Sequence, residues 1–175
     1  MAQGPASTAP SLRHNHLFLN ALVDIKPNSD ESTVQMLWET IAMEWFPPPQ
    51  GYRYTIKPSS QVASAVNIRV SARKGASENR IFFIHCKMPG MDREDQWDFA
   101  RHIPHIPELQ AALHSPAKFY AALAIGTKVK FYMFDGQLVS QHLRPLQARP
   151  YDLTNEQGLA ATESTLGFVK GLSRR

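Results

Sequence analysis

Val34, Leu37, Trp38, Ile41, Trp45 and Phe46 recur every three or four positions, the spacing that gathers apolar side chains into one stripe of a helix. Asn28-Ser29-Asp30-Glu31 offers capping groups just ahead, with Glu31 three residues after Asn28, and Pro47-Pro48-Pro49 cannot continue a helix. The pattern predicts a helix over 31–46. The period then drops to two. Residues 52–57 and 65–70 alternate apolar with polar, and 80–87 is an apolar run that follows a polar loop containing Gly75. These read as strands of one meander. Residues 92–101 read as a second helix, interrupted by Pro104 and Pro107, with a further turn or two over 108–113. The uncharged run 119–125 fits a buried strand, and Gly126-Thr127-Lys128 turns the chain into another over 129–134. Asp135-Gly136 is a hairpin signal before 137–139. Thr154-Asn155-Glu156-Gln157 opens a last helix over about 155–171, with Leu159, Leu166 and Val169 on one side. The apolar segment 17–23 reads as a short helix packing on the sheet.

The length of 175 residues and an apolar content of 43% against 19% charged fit one α/β domain, placed at 13–175, with no internal repeat or linker. Residues 1–12 are rich in Ala, Ser and Pro and lack an apolar stretch. They are read as a disordered lead-in, not a signal peptide. No apolar run approaches the ~20 residues of a membrane span, so no membrane partner is expected. Cys86 is the single cysteine, which excludes an internal disulfide and favours a reducing, intracellular compartment, cytoplasmic or nuclear. The net charge of +4 leans slightly towards polyanions. Arg69, Arg73, Lys74, Arg80 and Lys87 lie close together in sequence.

Chemistry concentrates in residues 80–90, Arg-Ile-Phe-Phe-Ile-His-Cys-Lys-Met-Pro-Gly. Along a strand, His85 and Lys87 share one face and Cys86 points to the other with Ile84. A lysine ending a buried strand needs a partner or a ligand. His85 and Lys87 are therefore expected side by side at the mouth of a core strand. Cys86, sent to the apolar face, reads as a structural thiol. His102 and His105 flank Pro104 and read as a polar surface turn, and His14 and His16 as solvated. Trp38, Trp45 and Phe46 read as core, and Tyr52 and Tyr54 as a half-buried strand face. Lys170, Arg174 and Arg175 read as a small basic tail.

The order helix, three strands, helix, strand over roughly 31–134 resembles the core of the restriction-endonuclease-like, PD-(D/E)xK nuclease superfamily. It particularly resembles stand-alone fungal members and the amino-terminal domain of type I restriction enzymes. Ile84-His85-Cys86-Lys87-Met88-Pro89 aligns with the acidic-x-lysine triplet that ends the third strand, and Ala65–Val70 with the strand that carries an aspartate. Lys87 matches. His85 stands in the acidic position and Asn67 in the aspartate position, so the resemblance implies that Asn67, His85 and Lys87 converge on one solvent-reachable hollow. Glu39 or Glu44 answers to the first-helix glutamate; the Gln-Leu…Tyr pattern of the following helix is absent as such, and Gln96 and Gln110 are only loose candidates for its glutamine. The resemblance implies a degenerate nuclease-like domain with an added hairpin and C-terminal helix. It is expected to bind nucleic acid through Arg69 and Lys87, or a protein, rather than to act as a Mg²⁺ nuclease, and to need no cofactor. One alternative is a cofactor-free isomerase or cyclase, as in fungal secondary metabolism, with His85 and Lys87 as acid and base and a first-helix glutamate opposite. A second is an active nuclease using Mg²⁺ or Mn²⁺.

Overall fold

The computed structural model describes residues 10–58, 65–75, 77–107, 109–110, 118–135 and 143–173. Helix α1 spans His16–Asp24 and α2 spans Glu31–Trp45. Asp30, not Asn28, caps α2. Its extended backbone sets the carboxylate to accept from the Thr33 N–H at 3.2 Å and the Ser32 hydroxyl at 2.6 Å. The helix stops where expected, with the Phe46 N–H closing on the Ala42 carbonyl before the prolines begin.

Strands β1 (Tyr52–Pro58), β2 (Ala65–Lys74) and β3 (Ser77–Lys87) form the antiparallel meander, with a bulge opposite Val70 and Ser71. β4 (Phe119–Ile125) lies parallel to β3, and β5 (Lys128–Phe134) returns antiparallel to β4. Two short strands, β6 (Leu143–Pro145) and β7 (Tyr151–Asp152), both pair with β5. The sheet is mixed and mostly antiparallel, in the order β1-β2-β3-β4-β5-β6. Helix α3 (Glu156–Ser173) ends the described chain, and the Asn155 side chain accepts from the Gly158 N–H at its start.

One sheet face is covered by α2 and α3. Val34, Leu37, Trp38, Ile41 and Trp45 of α2 and Leu166 and Val169 of α3 pack with Ile68, Val70, Phe82, Ile84, Cys86 and Phe131. Trp38 and Phe82 each lie against Phe131, with ring centroids 6.3 and 6.2 Å away. The opposite face of β3–β5 is covered by the crossover that joins β3 to β4, through Trp97, Phe99, Ile103, Ile106 and Leu109.

That crossover differs from the expected helix at 92–101. It is a chain of 3₁₀ turns at Pro89–Met91, Glu94–Trp97, Phe99–Arg101 and Ile103–His105. Trp97 and Phe99 both bury against the sheet, and two positions apart they would point to opposite sides of an α-helix. Asp92 and Asp98 also divert local donors, taking the Trp97 indole N–H and the Ala100 N–H.

α1 rests mainly on α2 rather than on the sheet, burying Phe18 and leaving Leu17 and Val23 exposed. Leu12, assigned above to the disordered lead-in, is fully buried, and its N–H donates to Glu163 of α3 at 2.6 Å. Lys170 is buried over the Tyr52 ring instead of joining a basic tail. Residues 108 and 111–113 of the further turn expected over 108–113, the hairpin strand over 137–139, and Arg174 and Arg175 lie outside the described residues.

Candidate functional site

Asn67 and His85 are cross-strand partners on β2 and β3, so their side chains rise from the same face. The His85 Nδ1 lies 2.6 Å from the Asn67 Oδ1. An amide oxygen only accepts, so Nδ1 carries the hydrogen and Nε2 keeps its lone pair. That Nε2 is buried without a hydrogen-bond partner among the described residues. Burial, reinforced by the neighbouring His102 and Lys87, pushes the His85 pKa well below the ordinary 6.5 and keeps the ring neutral.

Gln96 ties the rest of this cluster to the crossover. Its side-chain oxygen accepts from Lys87 Nζ at 2.6 Å, and its backbone carbonyl accepts from His102 Nε2 at 2.9 Å. Its amide nitrogen donates to Asp95 at 2.8 Å. The His102 ring stands 5.4 Å from that of His85. Burial lowers the pKa of Lys87, helped by Arg93 and opposed by Asp95, and burial also lowers that of His102.

The hollow expected around Asn67, His85 and Lys87 is therefore closed. The Asn67–His85 contact forms, but His85 is 0% and Lys87 2% exposed, and Lys87 turns to Gln96 under the crossover. His102, expected on a surface turn, is buried in the same cluster, while His105 is exposed. The signal for His102 was Phe99 three residues before it, since both side chains point at the sheet.

Glu39 and Glu44 do not meet these residues. Both belong to α2, which packs on the face that carries Cys86, so the sheet separates them from His85 and Lys87. Glu39 accepts from Gln35, and its charge adds to the burial that pushes the Cys86 thiol up. Glu44 holds the amino-terminal segment through the Ser11 N–H and Asn15 Nδ2. Asn67 has one oxygen, already given to His85, and Lys87 is a cation. This donor set does not fit the Mg²⁺ of a nuclease, a hard ion that needs several oxygen ligands. No group of three or more His, Cys, Asp or Glu among the described residues is arranged to hold a metal ion.

On β1 and β2 the same face is less covered by the described residues: Arg53, Lys57 and Arg73 are exposed and Thr55 and Arg69 half-buried, while Asn67 and Ser71 are buried. Register places Arg53 beside Ser71, Thr55 beside Arg69, Lys57 beside Asn67, and Ser71 beside Arg80. Strand alternation adds Arg73 to this face. Glu78, opposite Arg73, is the sole carboxylate on the three strands. Tyr52 and Tyr54 look the other way. Tyr52 is buried in the helical core, and the Tyr54 hydroxyl donates to the Phe46 carbonyl, its pKa raised by burial to about 12. Sequence reasoning singled out Arg69 but passed over Thr55 and Lys57, although the alternation of residues 52–57 already put them together.

No helix among the described residues is long and apolar enough to cross a membrane. Comparison with protein-family models, with curated proteins and with solved structures returns no match to this chain.

Proposed function

We propose that this chain is a non-hydrolytic module that binds the phosphate backbone of a nucleic acid on the open face of β1–β3. The observation that carries the reading is the charge of that face. Arg53, Lys57, Arg69, Arg73 and Arg80 project from it, and Glu78 is the one acid the strands contribute. Such a face attracts polyanions by releasing their condensed counterions. The aromatic side chains of β1 face the helices, and Phe83 is only 1% exposed, so the face offers no stacking platform for bases. Recognition is accordingly of backbone, independent of sequence. A restriction-endonuclease-like core is the reading we give the architecture, supported by the order α2, meander, crossover and parallel β4, and by Lys87 meeting Gln96. In that reading the old catalytic positions have become a packing cluster, because no carboxylate faces Lys87 from β2 or β3.

Fluorescence anisotropy with a labelled oligonucleotide across a salt series tests it. With Arg53, Lys57, Arg69 and Arg73 all meeting phosphates, log K on duplex should fall with log salt at a slope of about −3 to −4. The Arg53→Glu/Lys57→Glu double variant should bind far more weakly and with a shallower slope. Absence of binding at low salt, or binding indifferent to salt, would discard the proposal.

A further inference from the structure

His85 and His102 meet across the seam between β3 and the crossover. Their rings stand 5.4 Å apart, the Phe99 ring lies 6.1 and 6.2 Å from them, and both are buried. No hydrogen bond joins the two imidazoles. The His85 Nδ1 serves Asn67, the His102 Nε2 serves the Gln96 carbonyl, and the His85 Nε2 meets no partner among the described residues. Lys87 adds an ammonium on the same strand face. A proton on either ring therefore sets cations side by side in a buried seam, with no shared bond to take it up.

The surrounding charges do not offset this. On the crossover, Asp92 is engaged by Lys128 and the Trp97 indole, Asp95 by Arg93 and Gln96, and Asp98 by Arg101 and the Ala100 N–H. These three carboxylates are exposed, as are Arg93, Arg101 and His105. Asp98 favours a proton on His102, but Lys87 and His105 oppose it. β2 sets Asn67 beside His85, and β4 sets Leu123 and Ile125 beside His85 and Lys87, none of which ionises. One strand further out stand cations, Lys57 on β1 and Lys130 on β5, while the Tyr132 hydroxyl is held by the Trp97 carbonyl. The crossover can also yield in pieces. Its 3₁₀ turns close through single short-range bonds, such as His102 N–H to the Phe99 carbonyl at 2.9 Å and His105 N–H to the His102 carbonyl at 3.0 Å.

We infer that the crossover is an acid-released cover over β3, whose lifting adds His85 and Lys87 to the cationic face that a polyanion meets. Lys57, Asn67 and His85 lie abreast on β1, β2 and β3, so the uncovered groups continue that face. The release stands on the seam alone, and the gain in binding rests on the nucleic-acid reading above. Closed, both imidazoles hold protons less readily than the ordinary 6.5, so each proton taken up favours the lifted form.

Hydrogen exchange of the folded protein, with each rate divided by the intrinsic rate at that pH, tests the cover. Between pH 6 and pH 5 the opening constant of the Gln96, His102 and His105 amides should rise by more than about 8-fold. That is the most one imidazole supplies, and two have a limit of about 60-fold. The Ala122 and Leu123 amides of β4 should not follow, and His102→Gln should hold the rise at or below about 8-fold. A flat profile, or a rise shared equally by β4, overturns the cover and leaves the binding reading standing. A short duplex oligonucleotide added at pH 5 separates the two. Bound duplex that raises crossover exchange further supports both, because the ligand then prefers the lifted form. Bound duplex that leaves this exchange unchanged removes His85 and Lys87 from the binding face. Acid release without duplex binding keeps the cover and removes the nucleic-acid reading.

Discussion

Asn67 fixes more than its own position: its single oxygen decides the tautomer of His85 and so where an imidazole lone pair lies inside the protein. Replacing it by Leu leaves the buried His85 N–H without an acceptor, which should cost about 1–3 kcal/mol in urea unfolding. The neighbouring histidines set a pH dependence. Folded His85 and His102 have pKa values below 6.5, whereas the unfolded chain titrates near that value. Above it both states are neutral and nothing is lost. As pH falls through it, the unfolded chain takes up protons first, so stability declines until the folded-state values are reached. The urea midpoint should therefore drop between pH 7 and pH 5, and drop less in His102→Gln. Lys87 has the same sign at higher pH. Its folded pKa is depressed from 10.5, so the unfolded state again binds the extra proton, and stability rises as pH climbs towards that value.

Elements of this chain are joined by close approaches that tolerate no added atom. Gly158, in the first turn of α3, faces the backbone of β7, and a Cβ there would sit 2.1 Å from the Asp152 carbonyl oxygen. Gly158→Ala must push helix and strand apart and should lower the thermal midpoint by an amount matching about 1–3 kcal/mol. A midpoint equal to that of the parent would show that α3 and β7 part without cost. The same scale explains what was legible in the sequence. α2, the meander and β4–β5 each bury one face by a regular period, so Val34 to Trp45 and Phe119 to Ile125 announced themselves. The crossover has no period. Trp97, Phe99, Ile103 and Ile106 reach the sheet only because prolines and aspartate side chains bend the backbone turn by turn, and local pattern matched them to a helix instead. Candidate-site geometry was partly readable: strand alternation put His85 with Lys87 and set Cys86 apart. It was silent on depth, because closure depends on a segment that begins beyond Lys87 and folds back over it. Nor did helical periodicity reveal that Glu39 and Glu44 would lie across the sheet.

At the scale of the whole molecule, two sheet faces have been given different tasks. One is sealed under helices. Among the described residues, the other is half sealed by the crossover and half cationic, with Arg53, Lys57 and Arg73 exposed there. Incubation with plasmid, linear DNA or RNA and either Mg²⁺ or Mn²⁺ should leave the substrate intact for the parent and for Lys87→Ala alike. Cleavage that depends on Lys87 would mean that the crossover lifts and that carboxylates arrive from elsewhere.

Cys86 sits in the central strand between Val66 and Ala124, wholly shielded and with a thiol held well above its ordinary pKa. Being the chain's sole sulfhydryl, it is an inbuilt reporter. An alkylating reagent can reach it only when the middle of the sheet parts, so modification rates measure how often that happens. Ligands that stabilise the native state should slow the labelling, whatever their own chemistry.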